Sequence, residues 1–323
     1  MNILNKELLQ RLGVGTLEDR DLPTEYADSG SLALNHIISG DVNKGWAVGY
    51  IHEILGESST GKTVFLTHAF AGAQKKNWYT VMLDAECTYN KEFAREMGVD
   101  PALLIYRDPP SILDCFKELE SIVEKIREHD KDTPIVAGLD SMASQSFKEM
   151  EKSVSDFDNM DGSNRAKEIG QCLRHLNPTL RANKVCLILI NQIRMKPGVV
   201  YGNPETRSGG GKSLEYYCGT SFRVVSNKTS DLIKDDKTKV IGINGTIRNT
   251  KNKISIPFQE CGFRLIFDKG LDRIHGILPY LVTTGVLTKN GGWYQIKSTG
   301  EKFQESDFTD GKIKIPELAG ITQ

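Results

Sequence analysis

Cysteine is scarce and dispersed in this chain. Its six copies, Cys87, Cys115, Cys172, Cys186, Cys218 and Cys261, include no CxxC pair. That spacing argues against a zinc site or a disulfide framework and fits a reducing compartment. No stretch approaches the roughly twenty apolar residues of a membrane span. The opening MNILNKELLQRLG has no apolar signal core, so an intracellular protein without a membrane partner is expected. Neither sign of charge dominates, since 41 basic and 42 acidic residues leave a net charge of −1. Any binding of nucleic acid must therefore come from a local patch rather than a global field. Internal repeats and low-complexity tracts are also missing, which argues against a solenoid.

What is present is an ordinary globular composition. At 323 residues with 39% hydrophobic content, the chain can bury one large domain, or one domain plus a smaller piece. Short apolar runs alternate with amphipathic stretches. Strands are expected at Tyr50–Leu55, Tyr79–Leu83, Leu103–Tyr106, Ile135–Leu139 and Val185–Ile190. Helices are expected at Lys62–Gln74, Asn90–Met97, Ser111–Arg127 and Arg165–Leu180. The third of these opens on the capping box Ser111-x-x-Asp114. Such alternation predicts an α/β domain with a mostly parallel sheet. Beyond Ser221 the pattern is strand-rich, with runs at Ser221–Ser226, Val240–Arg248 and Phe263–Phe267 that suit antiparallel edge strands. One helix is expected at Leu271–Thr284, followed by a polar tail of weak periodicity.

Gly56-Glu57-Ser58-Ser59-Thr60-Gly61-Lys62-Thr63, continuing into Val64, matches the phosphate-loop pattern. It sits between a strand and a helix, the context the motif requires. The glycines let backbone N–H groups converge on phosphate oxygens, and the helix N-terminus adds partial positive charge. Lys62 would reach the β- and γ-phosphates of ATP, and Thr63 would hold Mg²⁺. Asp140 closes the apolar strand IVAGLD and is the carboxylate favoured for the metal shell. Asp84 and Glu86 close another strand, VMLDAE, and either could polarise the attacking water. These residues point to nucleotide hydrolysis, not yet to its purpose.

A second stretch is stranger. NQIRMKPGVVYGNPETRSGGGKSL, from Asn191 to Leu214, follows four apolar strand residues. It contains five glycines, two prolines, one tyrosine and four cations (Arg194, Lys196, Arg207, Lys212) against one acid, Glu205. Long structureless loops in compact domains are usually functional or disordered. Backbone phosphates attract such cations, and glycine N–H groups can approach them closely. Little base-edge readout is needed to bind single strands of any sequence.

Taken together, these stretches resemble the RecA recombinases, including their phage UvsX branch. The resemblance covers about Ser29 to Phe267. It rests on GSLALNHIISG, GESSTGKT, LDAECTYNKEFAREMGVDP, GLDS, NQIRMKPGVVYGNPETRSGG and TKNKISIPF. It implies a RecA-like ATPase core: a mostly parallel central sheet flanked by helices, antiparallel edge strands, a short N-terminal helix and a small C-terminal region. By the same resemblance Glu86 activates the hydrolytic water. Phe93 stacks on adenine where bacterial members carry tyrosine, and Asn90 replaces an aspartate nearby. Gln192 is the family's γ-phosphate sensor, and the loop after it is the second DNA-binding loop. Its implied contacts are Arg194, Met195, Lys196, Pro197, Gly198, Val199, Val200, Tyr201, Arg207, Gly209, Gly210, Gly211 and Lys212. Pro197 stands where bacterial members place a wedging isoleucine, so the wedge is Pro197 or a neighbour such as Val199. Lys251 and Lys253 align with a pair that reaches the neighbouring subunit's ATP. The first DNA loop falls near Phe147–Gly162, where five acids argue against direct phosphate contact.

The organisation so implied is an N-terminal oligomerisation segment (1–28), an ATPase and DNA-binding core (29–269) and a small C-terminal region (270–323). The implied function is an ATP-dependent recombinase that forms helical filaments on single-stranded DNA. It would hydrolyse ATP in response to that DNA and exchange strands with homologous duplex DNA. Single-strand-binding and mediator proteins are implied partners. The short C-terminal region, with NGGWYQI, resembles the phage members, so the expected setting is the cytoplasm of a bacterial cell or of a phage-infected host. A ring helicase or another DNA-repair ATPase on the same core is the alternative, although a ring helicase has no use for GNPETRSGG.

Overall fold

The computed structural model describes residues 23–143, 161–195, 205–207, 211–227 and 230–319. In chain order the first elements are β1 (Tyr26–Ala27), α1 (Leu32–Ser39), β2 (Trp46–Ala47), β3 (Ile51–Gly56), α2 (Lys62–Gln74) and β4 (Tyr79–Asp84). Next come α3 (Lys91–Glu96), β5 (Leu104–Arg107), α4 (Ile112–His129), β6 (Ile135–Asp140), α5 (Asp161–Ala182) and β7 (Val185–Met195). The second half adds β8 (Glu205–Arg207), α6 (Gly211–Tyr217), β9 (Thr220–Val225), β10 (Leu232–Lys234), β11 (Val240–Asn252), β12 (Glu260–Ile266) and β13 (Gly270–Leu271). The chain then closes with α7 (Leu278–Thr283), β14 (Leu287–Asn290), β15 (Trp293–Ile296), β16 (Lys302–Gln304) and α8 (Glu305–Thr309).

Six strands run parallel in the order β5-β4-β6-β7-β3-β9. Parallel neighbours need long crossovers, and α2, α4 and α5 are elements of those crossovers. From β9 outward the sheet turns antiparallel through β11, β12 and β13, as the strand-rich pattern predicts. Both faces are covered, so the central strands are mostly apolar and buried along their length: every residue of β6 is buried. Gly138 within it has a packing reason. A Cβ there would lie 2.4 Å from Leu66 Cδ1, so only glycine lets α2 close onto the sheet. One face carries Trp46, Phe65, Phe70, Phe222 and Phe263; the other carries Phe116, Leu119, Leu173, Leu180 and Leu187. Trp46 meets Phe222 edge-on at 5.5 Å, and Phe65 meets Phe263 edge-on at 5.2 Å. The Ser111 hydroxyl accepts the Asp114 N–H at 3.1 Å and so caps α4 as its sequence predicts.

Several boundaries differ from the sequence reading, β11 running on to Asn252 and β12 starting at Glu260 among them. β7 does not stop at Ile190 but continues to Met195, where it pairs antiparallel with β8. The helix expected over Leu271–Thr284 is only Leu278–Thr283. Ahead of it Gly270 and Leu271 form β13, and Gly276 adopts a left-handed φ of 79°. The weakly periodic tail forms a three-stranded antiparallel sheet, β14-β15-β16, whose first hairpin turns on Gly291 and Gly292. Its Leu287, Tyr294, Ile296 and Phe303 join the same core as the ATPase face. Among the described residues no helix is long and apolar enough to cross a membrane.

Candidate active site and nucleic-acid interface

Four strands bring their carboxyl ends to one edge of the sheet, the place where open α/β folds bind ligands. Register fixes the neighbours: Gly56 lies opposite Gln192, and Asp84 lies opposite Asp140. The order β4-β6-β7-β3 therefore sets two acids, an amide and the phosphate loop side by side.

The loop from Gly56 to Lys62 curls tightly. Ser59 and Gly61 take left-handed φ values of 63° and 86°. A Cβ on Gly56 would stand 2.8 Å from the Val224 carbonyl, so the strand can turn there only with glycine. The Thr60 hydroxyl and the Lys62 ammonium both donate to the Glu57 carbonyl, at 3.0 and 2.5 Å. Lys62 thus folds back over its own loop, where phosphate oxygens would compete for it.

Thr63, in the first turn of α2, donates its hydroxyl to Asp140 Oδ2 at 2.6 Å. Burial pushes the Asp140 carboxyl up to about 6; the Thr63 bond opposes that shift, and the charges of Glu86 and Asp84 reinforce it. A carboxylate crowded in this way favours a cation. Mg²⁺ typically takes one or two carboxylates and fills its remaining positions with water and phosphate oxygens. Thr63 and Asp140 fit that requirement. Among the described residues no larger His, Cys, Asp or Glu cluster offers an all-protein metal cage.

Asp84 and Glu86 separate clearly. Asp84 is fully buried, and its carboxylate accepts the Glu86 N–H at 3.2 Å, the Tyr89 N–H at 2.8 Å and the Tyr106 hydroxyl at 3.1 Å. It organises the turn. Glu86 is exposed on that turn, and its Oε1 accepts from the Ser141 hydroxyl and from Gln192 Nε2, the latter at 3.3 Å. Of the two acids, Glu86 is the one facing the edge where water and nucleotide would meet. In α3, Asn90 Oδ1 accepts the Phe93 N–H at 2.8 Å, so Asn90 serves as a helix cap. Phe93 is half-buried, its ring edge-on to Tyr89 at 5.9 Å.

Lys251 and Lys253 lie away from this edge. In β11, Asn252 points to one face and donates to the Ile37 and Ile38 carbonyls at the end of α1, at 3.1 and 2.9 Å. Strand alternation then sends Lys251 to the opposite face, and Lys253, just past the end of β11, joins it there. There both ammoniums donate to the Tyr216 carbonyl at 3.2 Å, and Lys251 also reaches the Glu215 carbonyl. Burial, then the neighbouring Lys253 charge, holds Lys251 below the usual lysine range. Two cations on one carbonyl make a ready site for an anion.

The long basic stretch begins and ends as a ribbon, with Ile193, Arg194 and Met195 opposite Arg207, Thr206 and Glu205. Lys196, Pro197, Gly198, Val199, Val200, Tyr201, Gly209 and Gly210 lie outside the described residues, as do residues 1–22 and all but the last two residues of the expected first DNA loop, Phe147–Gly162. Gly211 and Lys212 open α6. Arg207 is held from within the protein: its Nε donates to both oxygens of the buried Glu53, at 3.0 and 3.1 Å. Glu53 is the site residue that sequence reasoning missed. The signal was available, a lone acid inside the buried strand IHEILG.

The family model described as the RecA N-terminal domain matches residues 5–272. The chain is 30% identical to Protein RecA of Thermotoga maritima over 98% of its own length and 87% of that protein's. It is 30% identical to Protein RecA of Mycoplasma mobile, covering 97% and 86% of the two chains. Protein RecA of Chloroherpeton thalassium is 29% identical, with 92% and 80% covered. The chain belongs to the RecA family. As a RecA-family protein it is an ATP-dependent recombinase and a DNA-dependent ATPase that uses ATP with Mg²⁺. It binds single-stranded and duplex DNA and assembles with copies of itself.

Proposed function

We propose that the four-strand edge is the ATPase centre and that Gln192 links it to the DNA loop. The observation that carries this reading is the Gln192 amide donating to Glu86 beside the phosphate loop. Gly56, Glu57, Ser58, Ser59, Thr60, Gly61, Lys62, Thr63 and Val64 cradle the phosphates. Thr63 and Asp140 hold Mg²⁺, which supplies charge neutralisation at the phosphates. Glu86 takes a proton from the attacking water, and Phe93 stacks on the base beside the capped Asn90. When γ-phosphate draws Gln192 away from Glu86, β7 carries that change into the ribbon, a recognised kind of nucleotide switch.

Arg194, Met195, Lys196, Gly198, Val200, Tyr201, Gly209, Gly210, Gly211 and Lys212 then meet single-stranded DNA, with Pro197 or Val199 as the wedge. Arg207 anchors this loop rather than neutralising a phosphate. Lys251 and Lys253 serve the ATP of a neighbouring subunit; of the N-terminal oligomerisation segment (1–28), Tyr26–Ala27 pairs with β2 of its own chain, so contact with a neighbour falls to residues outside the described ones. Single-strand-binding and mediator proteins load the filament, in a bacterial cell or a phage-infected host. The deciding experiment measures ATPase rate with and without single-stranded DNA, beside electron microscopy of the same mixtures. Filaments with DNA-stimulated hydrolysis support the reading; closed rings with a fixed site size would favour the helicase class.

A further inference from the structure

Glu53 sits in the middle of β3, fully buried, three residues before the phosphate loop begins. A buried carboxylate needs several donors, and the origins of these donors are informative. Asn191 Nδ2 donates to Oε1 at 3.0 Å, from the residue just before the sensor. The Ser221 hydroxyl donates to Oε2 at 2.5 Å, from β9. Arg207 donates to both oxygens from the returning arm of the ribbon and also approaches Glu215 at 3.6 Å. Asn191 uses its other atom, Oδ1, to accept the Gln192 N–H at 2.9 Å. One carboxylate thus holds the peptide of the sensor and both arms of the ribbon.

We propose that Glu53 is a positioning residue for nucleotide-controlled DNA binding. Through Asn191 it fixes the Gln192 peptide, and through Arg207 it fixes β8, so the sensor and the two ribbon arms move as one unit. Without the pair, Gln192 would still meet γ-phosphate, but its movement would reach only one arm. This rests on the reading of Gln192 as sensor and of the ribbon as the DNA-facing element, so the test must be able to tell the two failures apart.

Affinity for a fluorescent oligo-dT is measured with ADP and with a non-hydrolysable ATP analogue, and the ratio of the two is the readout. Allosteric ratios of this kind run from about 5 to 150-fold. Three variants accompany the native protein: Gln192→Ala, Arg207→Lys and the double variant Glu53→Gln/Arg207→Met. The double variant removes both charges together and so avoids stranding a buried carboxylate.

The expected result is a ratio near one for Gln192→Ala, a ratio near one for the double variant and partial recovery for Arg207→Lys. Salt dependence of DNA binding should keep its native slope in the double variant, whereas a lost phosphate contact would flatten it by about 0.7. A purely structural pair would lower the melting temperature and leave the ratio intact. A native ratio in the double variant, with the Gln192→Ala ratio collapsed, overturns the coupling role and spares the sensor. A native ratio in Gln192→Ala overturns the sensor reading and this inference with it. A flattened slope with a native ratio returns Arg207 to the phosphate contacts and also overturns the inference.

Discussion

A protein with Lys251 and Lys253 both changed to alanine should hydrolyse almost no ATP on single-stranded DNA, although its own phosphate loop is intact. The reason is distance within the sheet. Lys251 lies opposite Ser221, and Ser221 lies opposite Glu53, three residues short of Gly56. At about 3.3 Å per residue and 4.8 Å per strand, the Lys251 backbone lies about 14 Å from the start of its own phosphate loop. A four-carbon stem spans less than half of that gap. Lys253 is farther still, since its N–H bonds to Gly219 and Gly219 bonds to Ile51 at the other end of β3. If these lysines touch ATP, the ATP belongs to another subunit.

Mixing then gives a quantitative test. Lys62→Ala has a dead phosphate loop and intact donated lysines; the double lysine variant has the reverse defect. In an equimolar filament of random order, about one interface in four pairs a working loop with working lysines, given head-to-tail contacts. DNA-dependent hydrolysis measured by phosphate release should return to about a quarter of the native rate per subunit. Crosslinking must show that the two variants enter the same filaments. Co-assembled filaments that stay inactive would refute a shared site, and native-rate hydrolysis by the double lysine variant alone would refute any catalytic part for these lysines.

Glu86→Gln should keep ATP binding and DNA binding while hydrolysis falls by roughly a hundredfold or more, the usual worth of a general base; a native turnover rate would remove Glu86 from that role. Burial holds His52 and His68 at about 4, with the Ala47 carbonyl opposing the shift in one and Asp28 in the other. The unfolded chain therefore binds more protons between about pH 4 and 6.5, and stability that is complete above 6.5 is lost as pH falls. The loss by pH 5 should be roughly 2 kcal/mol for each histidine. Denaturant titrations at pH 7.5 and 5 check this, and equal midpoints would contradict it. Phe222→Ala removes a fully buried ring packed on Trp46 and should cost about 3–5 kcal/mol, read as a lower urea midpoint at an unchanged slope.

The legible parts of the sequence are those where local chemistry and tertiary role agree. α2 runs from Lys62 to Gln74 as its pattern predicts, because the phosphate loop before it sets its start and its largely apolar run is buried on nearly every side. Asp140 was legible as the acid closing the apolar run of β6, whereas Glu86, on the turn after β4, and Gln192, within β7, took their roles from the resemblance. Leu271–Thr284 misled because its apolar residues serve two elements, a short strand and a short helix, divided by the left-handed Gly276. Asn191–Met195 misled in the other direction. The stretch looks like loop, yet Asn191 and Gln192 pair with the end of β3 and Ile193–Met195 pair with β8, which lies beyond a long insertion. Arg207 was the least legible. Nothing local distinguishes a cation that meets phosphate from one that meets a carboxylate 154 positions earlier.

The sheet also constrains the form of the assembly. β3 is one strand of six residues. Its carboxyl end opens the phosphate loop, its middle carries Glu53, and its amino end lies beside Gly219 and the backbone of Lys253. On the reading of Lys251 and Lys253 as donated, the receiving surface is the carboxyl end of β3, and the donating surface lies two strands away, level with the middle and amino end of β3. A two-fold contact could share ATP only if both surfaces fell within one self-complementary patch, since residue i then meets j while j meets i. A heterologous contact instead lets each subunit give lysines on one side and accept them on the other. Such a contact closes into a ring only at special rotations and otherwise continues as a helix. On the same reading, DNA contact at the ribbon would bias the subunit's own phosphate loop through β7, while Lys251 on β11 and Lys253 just past it would serve the next ATP along.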